Sequence, residues 1–264
     1  MTLTESTNPP QRNFKLKVAY RGTGLCGWQR QENGLTIQEL LEDAIGAVCG
    51  HRVVVFGSGR TDAGVHASGQ VASFLTHSQR SPRDIVRGTN RNLPSAIAVL
   101  AAEEVPLDFH ARFSSTGKKY CYDYLTSVTR NPMFDWRAWW VGPNLDWAKV
   151  EEALLHLVGE KDFLCFQSTG SESKSSVREI FSARIYQPSP EIVRLEVRGS
   201  GFLRHMMRSI AGTLWEIGKG KMDGEAFRKI IEGKMRPRAG QTAPSRGLSL
   251  EESYYEPKEI LRLK

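Results

Sequence analysis

Two strand-like segments joined by a short, proline-containing turn restrict the fold more than any other feature of this sequence. The segments are VREIFSARIYQ (177–187) and EIVRLEVRG (191–199), and the turn lies at Pro188–Pro190. So short a connection indicates antiparallel pairing, because parallel strands need a crossover of a dozen or more residues. Two further strand-like segments, RVVVF (52–56) and QVASFL (70–75), flank a glycine-rich loop. The sequence therefore indicates a largely antiparallel sheet.

Helix-start signals occur in segments outside these strands. Thr36 and Glu39 form a capping box ahead of an apolar-periodic segment. Ser81 precedes a proline and Asp146 precedes a second periodic segment, so each predicts a helix N-terminus. A longer amphipathic helix is predicted over 202–218. Strand pairs combined with helices are typical of an α+β fold and not of a doubly wound parallel sheet.

Each half of the chain contributes strands and a capped, amphipathic helix. This repetition predicts two similar α/β-mixed domains with largely antiparallel sheets. We expect a flexible tail at residues 1–13, an N-terminal domain at 14–105 that carries the glycine-rich loop, and a C-terminal domain at 106–264.

The 264-residue chain has a formal net charge of +7. This charge fits either a solvated basic surface or a polyanionic partner such as nucleic acid. The four cysteines are scattered without a C-x-x-C pair, which argues against a zinc site or a disulfide framework and favours a reducing compartment. With no secretory signal and no run of 18 apolar residues, we expect a cytoplasmic protein without a membrane segment.

The glycine-rich loop, GSGRTDAGVHASGQVASF (57–74), places Arg60 two residues before Asp62. It is not a phosphate-binding P-loop, because Gly64 is followed by Val65-His66 and not by Lys-Ser/Thr. Serine-hydrolase and metal-binding motifs are also absent from the sequence. Asp62 is therefore either a turn residue or an ionised carboxylate that acts as a nucleophile or a base.

Seven segments of the chain resemble, in order and at similar spacing, the motifs of the A-type tRNA pseudouridine synthases. They are YRGTGLCGWQRQ (20–31), TIQELLEDAI (36–45), the glycine-rich loop, FHARFSSTGKKYCYDY (109–124), SKSSVREI (173–180), GFLRHMMRSIAGTLWEIGKGK (201–221) and TAPSRGLSL (242–250). The resemblance implies the pseudouridine synthase fold, in which the sheets form a central sheet and a cleft. It also implies a homodimer that binds tRNA and needs no cofactor or metal.

In that family, uridine is isomerised to pseudouridine at positions 38, 39 and 40 of the tRNA anticodon stem-loop. The resemblance makes Asp62 the catalytic residue, which attacks the sugar or removes a ribose proton; the sequence does not choose between these paths. Tyr120 is similar to the tyrosine that stacks on the target base, and Arg208 to the basic residue that pairs with the aspartate. Leu248 is similar to an apolar pocket residue, and Arg60 to the arginine that helps flip the nucleotide.

Basic residues in several segments bracket this expected site, which favours contacts to RNA phosphates. Arg204 and Arg208 are four residues apart and are expected on one helix face, with His205 beside Arg204. The candidate RNA contacts are Lys118, Lys119, Lys174, Arg178, Arg204 and His205. The competing hypothesis is a tRNA-binding protein without catalytic activity.

Overall fold

A computed structural model describes residues 9–168, 175–233 and 240–256. The chain divides into two compact units: Met1–Ala63 with Ala67–Ser115, and Gly64–His66 with Thr116–Lys264. Most of the predicted tail, residues 1–8, lies outside the described residues, and the tail's last two residues belong to the first strand.

The first unit is built on an antiparallel sheet. Strand β1 pairs with β3 on one side and with β4 on the other, and the short β2 pairs with β3. Helix α1 contacts α2, and α2 contacts β4. The elements are β1 (Arg12–Tyr20), α1 (Ile37–Cys49), β2 (Phe56–Gly57), β3 (His66–Thr76), α2 (Pro82–Asn92) and β4 (Ile97–Val105).

In the second unit the strand order is β10-β5-β9-β8-β7. Each pair of neighbouring strands in this order is antiparallel, whereas β6 pairs parallel with β5. The β8–β9 pair confirms the antiparallel arrangement predicted from the proline turn. The elements are β5 (Gly117–Leu125), β6 (Trp139–Trp140), α3 (Trp147–Leu154), β7 (Gly159–Asp162), β8 (Val177–Ser189), β9 (Ile192–Gly199), α4 (Met206–Gly218), α5 (Gly224–Ile231) and β10 (Leu248–Tyr254).

The predicted helix starts of α1, α2 and α3 are confirmed. The Thr36 hydroxyl accepts a hydrogen bond from the Glu39 amide at 3.4 Å. Ser81 caps α2 and Asp146 caps α3 in the same way, with hydroxyl or carboxylate oxygens 3.2 Å from backbone amides three residues later. These side chains satisfy amide groups that have no partner within the helix.

The predicted strand over 52–56 is wrong except at its last residue. Val55 donates its amide to the Glu42 carboxylate at 3.1 Å and accepts from the Gln38 side chain at 3.0 Å. Side chains of α1 thus occupy the backbone groups that a neighbouring strand would need. The β-branched pattern reflects burial of Val53 and Val55 and not strand pairing.

The predicted helix over 202–218 begins later than expected, at Met206. His205 precedes it in the left-handed region, with φ 63°, a conformation that is uncommon for residues other than glycine. Arg204 therefore lies outside α4, and the expectation that it shares a helix face with Arg208 is wrong. Among the helices in the described ranges, none combines the length and apolar character needed to cross a bilayer.

Candidate functional site

Asp62 lies in the loop between β2 and β3 and is half-buried. The preceding residue, Thr61, is buried, whereas Arg60 is exposed. The Arg60 guanidinium donates a hydrogen bond from Nε to the Gln29 side chain at 3.1 Å. One loop of the first unit therefore carries both the acid and the guanidinium, and Gln29 of a second loop accepts a hydrogen bond from the guanidinium.

A buried polar network anchors this loop from below. The Tyr20 hydroxyl lies 2.8 Å from the Thr61 hydroxyl. Gln70, which is fully buried, donates to the Gly59 carbonyl at 2.8 Å and to Tyr20 Oη at 3.3 Å, and accepts from Ser58 Oγ at 2.7 Å. Burial raises the pKa of Tyr20 well above its ordinary value, so the phenol stays neutral and can donate.

A tight backbone contact holds the same loop from a second side. A Cβ atom on Gly27 would lie 2.6 Å from the Thr61 carbonyl oxygen, and Gly27 has φ +84°. Trp28 donates its amide to that carbonyl at 3.0 Å. The Trp28 ring packs on Gly57, where a Cβ would come within 2.5 Å of the indole. Both glycines are required by close approach, which fixes the backbone on each side of Arg60 and Asp62.

We expect Tyr20→Phe to lower the free energy of unfolding by about 1–3 kcal/mol, because it deprives buried Thr61 and Gln70 of a partner. Urea titration monitored by circular dichroism measures this change. Tyr186→Phe is the matched control, because the half-buried Tyr186 ring contacts Arg184 through its face. Equal stability of the two variants contradicts the role assigned to the network.

The second unit holds the other residues that the sequence singled out. Tyr120, on β5, is buried and contacts Phe202 edge-on, with ring centroids 5.0 Å apart. Leu248 is the first residue of β10 and is also buried. Leu250, two residues further along β10, pairs with Tyr120 of β5. The structure therefore places Tyr120 and Leu248 on adjacent strands.

Arg208 lies in the first turn of α4 and is joined to the segment 240–247. Arg208 Nε donates to the Ala243 carbonyl at 2.8 Å, and the Ala243 amide donates back to the Arg208 carbonyl at 3.0 Å. The Tyr122 hydroxyl donates to the Pro244 carbonyl at 2.9 Å. Burial raises the pKa of Tyr122, and the charge of Arg208 opposes that effect. The segment 240–247 thus contacts both the Arg208 side chain on α4 and the Tyr122 side chain on β5.

Two glycines allow the segment 240–247 to lie this close. A Cβ on Gly212 would come within 1.6 Å of the Gln241 carbonyl oxygen, and one on Gly247 within 2.6 Å of the Tyr122 ring. Gly64 lies two residues after Asp62 and belongs to the second unit. A Cβ on Gly64 would come within 2.5 Å of Ser245 Oγ. These contacts account for one glycine in each of three sequence motifs.

The candidate RNA contacts differ in their surroundings. Lys119 lies on the opposite face of β5 from Tyr120 and forms an ion pair with Glu252 at 3.0 Å. Arg178 is half-buried and donates to the Ser175 carbonyl at 2.9 Å, and burial lowers its pKa. Arg204 is exposed and His205 half-buried, both ahead of α4, and Lys118 is half-buried on β5. Lys174 lies outside the described residues.

Three arginines on strands β8 and β9 are paired with carboxylates. Arg194 contacts Asp123 through two nitrogens at 2.6 and 2.7 Å. Arg184 and Arg198 both contact the buried Glu196, at 3.1 and 3.0 Å. Acidic partners thus offset the charge of these three side chains, so they contribute little to a basic surface. Within the described ranges, no three His, Cys, Asp or Glu side chains cluster closely enough to hold a metal ion.

Comparison with known proteins adds an independent observation. The model of a family described as tRNA pseudouridine synthase matches residues 17–114 and 153–256. A protein of Geobacter sp. (strain M21), named tRNA pseudouridine synthase A, is 43% identical over 245 residues, which are 92% of this chain and 99% of the relative. A protein of the same name from Ruminiclostridium cellulolyticum is 42% identical over 244 residues, 92% of this chain and 100% of the relative. Both similarities extend over nearly the whole of each sequence.

Proposed function

Because the chain belongs to the tRNA pseudouridine synthase family, we propose that it isomerises uridine at positions 38, 39 and 40 of tRNA with Asp62 as the catalytic carboxylate. The reaction class is intramolecular transfer, so the enzyme is an isomerase. The observation that carries the proposal is the Asp62 loop, whose backbone is fixed by Tyr20, Gln70 and Gly27. A preorganised carboxylate of this kind avoids the cost of ordering it during the reaction.

The bonds that change in this reaction balance without a redox partner. The bond between N1 of uracil and C1′ of the ribose breaks, the base rotates, and a bond forms between C5 and C1′. The C5 proton is lost and N1 gains a proton, so substrate and product are isomers. Asp62 either attacks the ribose as a nucleophile or removes a ribose proton as a base.

The remaining residues have supporting roles in this proposal. Tyr120 stacks on the target base and assists loss of the C5 proton, and Leu248 lines the apolar side of the pocket. By the resemblance to the family, Arg208 is the basic residue of the proposed site. Arg60 assists extrusion of the nucleotide from the stem. No cofactor takes part.

Release of tritium from anticodon stem-loops labelled at C5 of a single uridine tests the proposal. With the label at position 38, 39 or 40, we expect the purified protein to release tritium and to form pseudouridine. A label at a stem uridine outside these positions is the matched control and should be retained. A protein that binds the stem-loop but never releases tritium supports the competing hypothesis of a non-catalytic tRNA-binding protein.

We also propose that Lys118, Lys119, Lys174, Arg178, Arg204 and His205 contact the RNA. If so, Arg178→Gln should raise the Kd for tRNA by about 3- to 10-fold and reduce the slope of log Kd against log salt by about 1. Arg184→Gln is the control, because Arg184 is already paired with Glu196. Filter binding at several salt concentrations measures both variants, and equal slopes contradict the contact.

The resemblance further supports a cytoplasmic homodimer. Four unpaired cysteines among the described residues agree with a reducing compartment. Sedimentation equilibrium should give a mass close to twice the 29.6 kDa of one chain. A mass equal to one chain over the micromolar range contradicts the dimer and leaves the proposed reaction untouched.

A further inference from the structure

The first unit carries an exposed aromatic cluster to which the proposed function assigns no role. We define this cluster as Phe56, His110 and Phe113. The Phe113 side chain is 78% exposed and Phe56 is 44% exposed. Phe56 forms β2 with Gly57, the first residue of the glycine-rich loop that carries Asp62. The cluster is therefore attached to the segment that leads into the proposed active site.

The rings of the aromatic cluster contact one another through His110. The His110 ring centroid lies 4.8 Å from that of Phe56 and 4.4 Å from that of Phe113, with interplanar angles of 41° and 36°. The Arg112 guanidinium lies 5.7 Å from the centre of the Phe113 ring. An exposed π-face is thus accompanied by a positive charge.

Hydrogen bonds hold the turn that presents these rings. His110 Nδ1 accepts from the amides of Arg112 and Phe113 at 3.1 and 3.4 Å. The His110 amide donates to Ser114 Oγ at 3.0 Å, and the Ala111 amide donates to Ser73 Oγ on β3, also at 3.0 Å. These hydrogen bonds hold the turn in one conformation and join it to the sheet. Binding of a ligand on Phe113 therefore requires little further ordering of the turn.

The combination of ring, cation and location favours a nucleobase as the ligand. Unpaired bases stack on aromatic side chains and on guanidinium planes, and stacking tolerates any base because each has a π-face. Arg112 adds a charge that complements the phosphate backbone. A purely apolar protein partner would gain nothing from this exposed guanidinium.

We propose that the aromatic cluster is a second RNA-contact site, where an unpaired base of the bound tRNA stacks on Phe113 and Arg112 contacts the adjoining phosphate. This inference rests on the proposed function, because it takes tRNA as the substrate. It adds a contact in the first unit to those expected in the second. The site binds a base without chemical change and is separate in role from the pocket for the reacting uridine.

Two variants of Phe113 separate stacking from simple burial. Phe113→Leu keeps an apolar side chain but removes the π-face, and we expect it to raise the Kd for tRNA by about 5- to 150-fold. Phe113→Trp enlarges the π-face, so it should bind tRNA at least as tightly as the wild type. Because a stacked base quenches indole emission, the added fluorescence of this variant should fall when tRNA binds.

Leu155→Trp is the matched control, because Leu155 is 75% exposed and lies at the end of α3 in the second unit. Its indole should keep its emission when tRNA is added. An unchanged Kd for Phe113→Leu, or equal quenching in the two tryptophan variants, overturns the inference. If Phe113→Leu instead dissociates a dimer at an unchanged Kd, the cluster contacts a second copy of the chain and the inference also fails. If the wild type itself does not bind tRNA, the proposed function fails first.

Discussion

Asp62→Asn is expected to reduce pseudouridine formation by on the order of 10⁴-fold or more, while the Kd for tRNA changes by less than about 3-fold. The amide has nearly the size of the carboxylate, but it is neither a nucleophile nor a base at neutral pH. The contacts that fix the loop come from Thr61, Gly59 and Ser58, so the substitution leaves them in place. Tritium release and filter binding on the same preparation give the two quantities.

Asp43→Asn provides the matched control for loss of one negative charge. Asp43 lies on the exposed side of α1 in the same unit as Asp62. It should retain wild-type rates within about 2-fold, as surface substitutions usually do. Full activity of Asp62→Asn would falsify the catalytic assignment, and it would leave the family membership unaffected.

Gly212→Ala is expected to destabilise the second unit by about 3 kcal/mol or more, or to prevent folding. The added methyl would overlap the Gln241 carbonyl oxygen, a backbone atom that cannot rotate away. Displacing Gln241 also disturbs the hydrogen bond that its amide donates to the Glu216 carboxylate. The neighbouring hydrogen bond from the Gly240 amide to the Thr213 hydroxyl is disturbed as well. Thermal unfolding and urea titration measure the loss.

Gly46→Ala is the control for replacing a glycine within a helix. A Cβ on Gly46 would meet only the His51 carbonyl oxygen, at 3.4 Å, and the Arg52 Cα, at 4.0 Å. Because alanine is the better helix former, the free energy of unfolding of this variant should rise by up to about 1 kcal/mol. If both glycine variants show the same change in stability, close packing of α4 on the segment 240–247 does not explain Gly212.

Features that depend on neighbours in the sequence could be predicted from the sequence. The caps at Thr36, Ser81 and Asp146 each involve an amide three residues later, so the residue types alone indicate them. The β8–β9 pair follows from a turn too short for any other connection. Asp62 and Arg60 likewise stand two residues apart in one loop, so their proximity is visible in the sequence, and their roles stay a prediction.

Features that depend on distant residues could not be predicted in this way. Residues 52–56 have the composition of a strand, but Glu42 and Gln38 of α1 take the Val55 backbone bonds. The late start of α4 follows from the left-handed conformation of His205, and no glycine or proline marks that position.

The support of the Asp62 loop was missed for the same reason. Tyr20 is 41 residues from Thr61 and 50 from Gln70, so no local pattern shows that they meet. The available signal was the presence of Tyr20 and Gly27 in one motif and of Gln70 in another. The two motifs contain these residues but give no indication of the hydrogen bonds between them.

The position of β10 in the chain has a consequence for synthesis on the ribosome. β10 pairs with β5, yet about 120 residues separate the end of β5 from the start of β10. At about 5–20 residues per second, the nascent chain spends roughly 6–24 s with that edge of β5 unpaired. Unpaired strand edges recruit other chains. Chaperone dependence and aggregation of ribosome-bound chains should therefore be greatest in this interval and end once Leu248 and its strand have emerged.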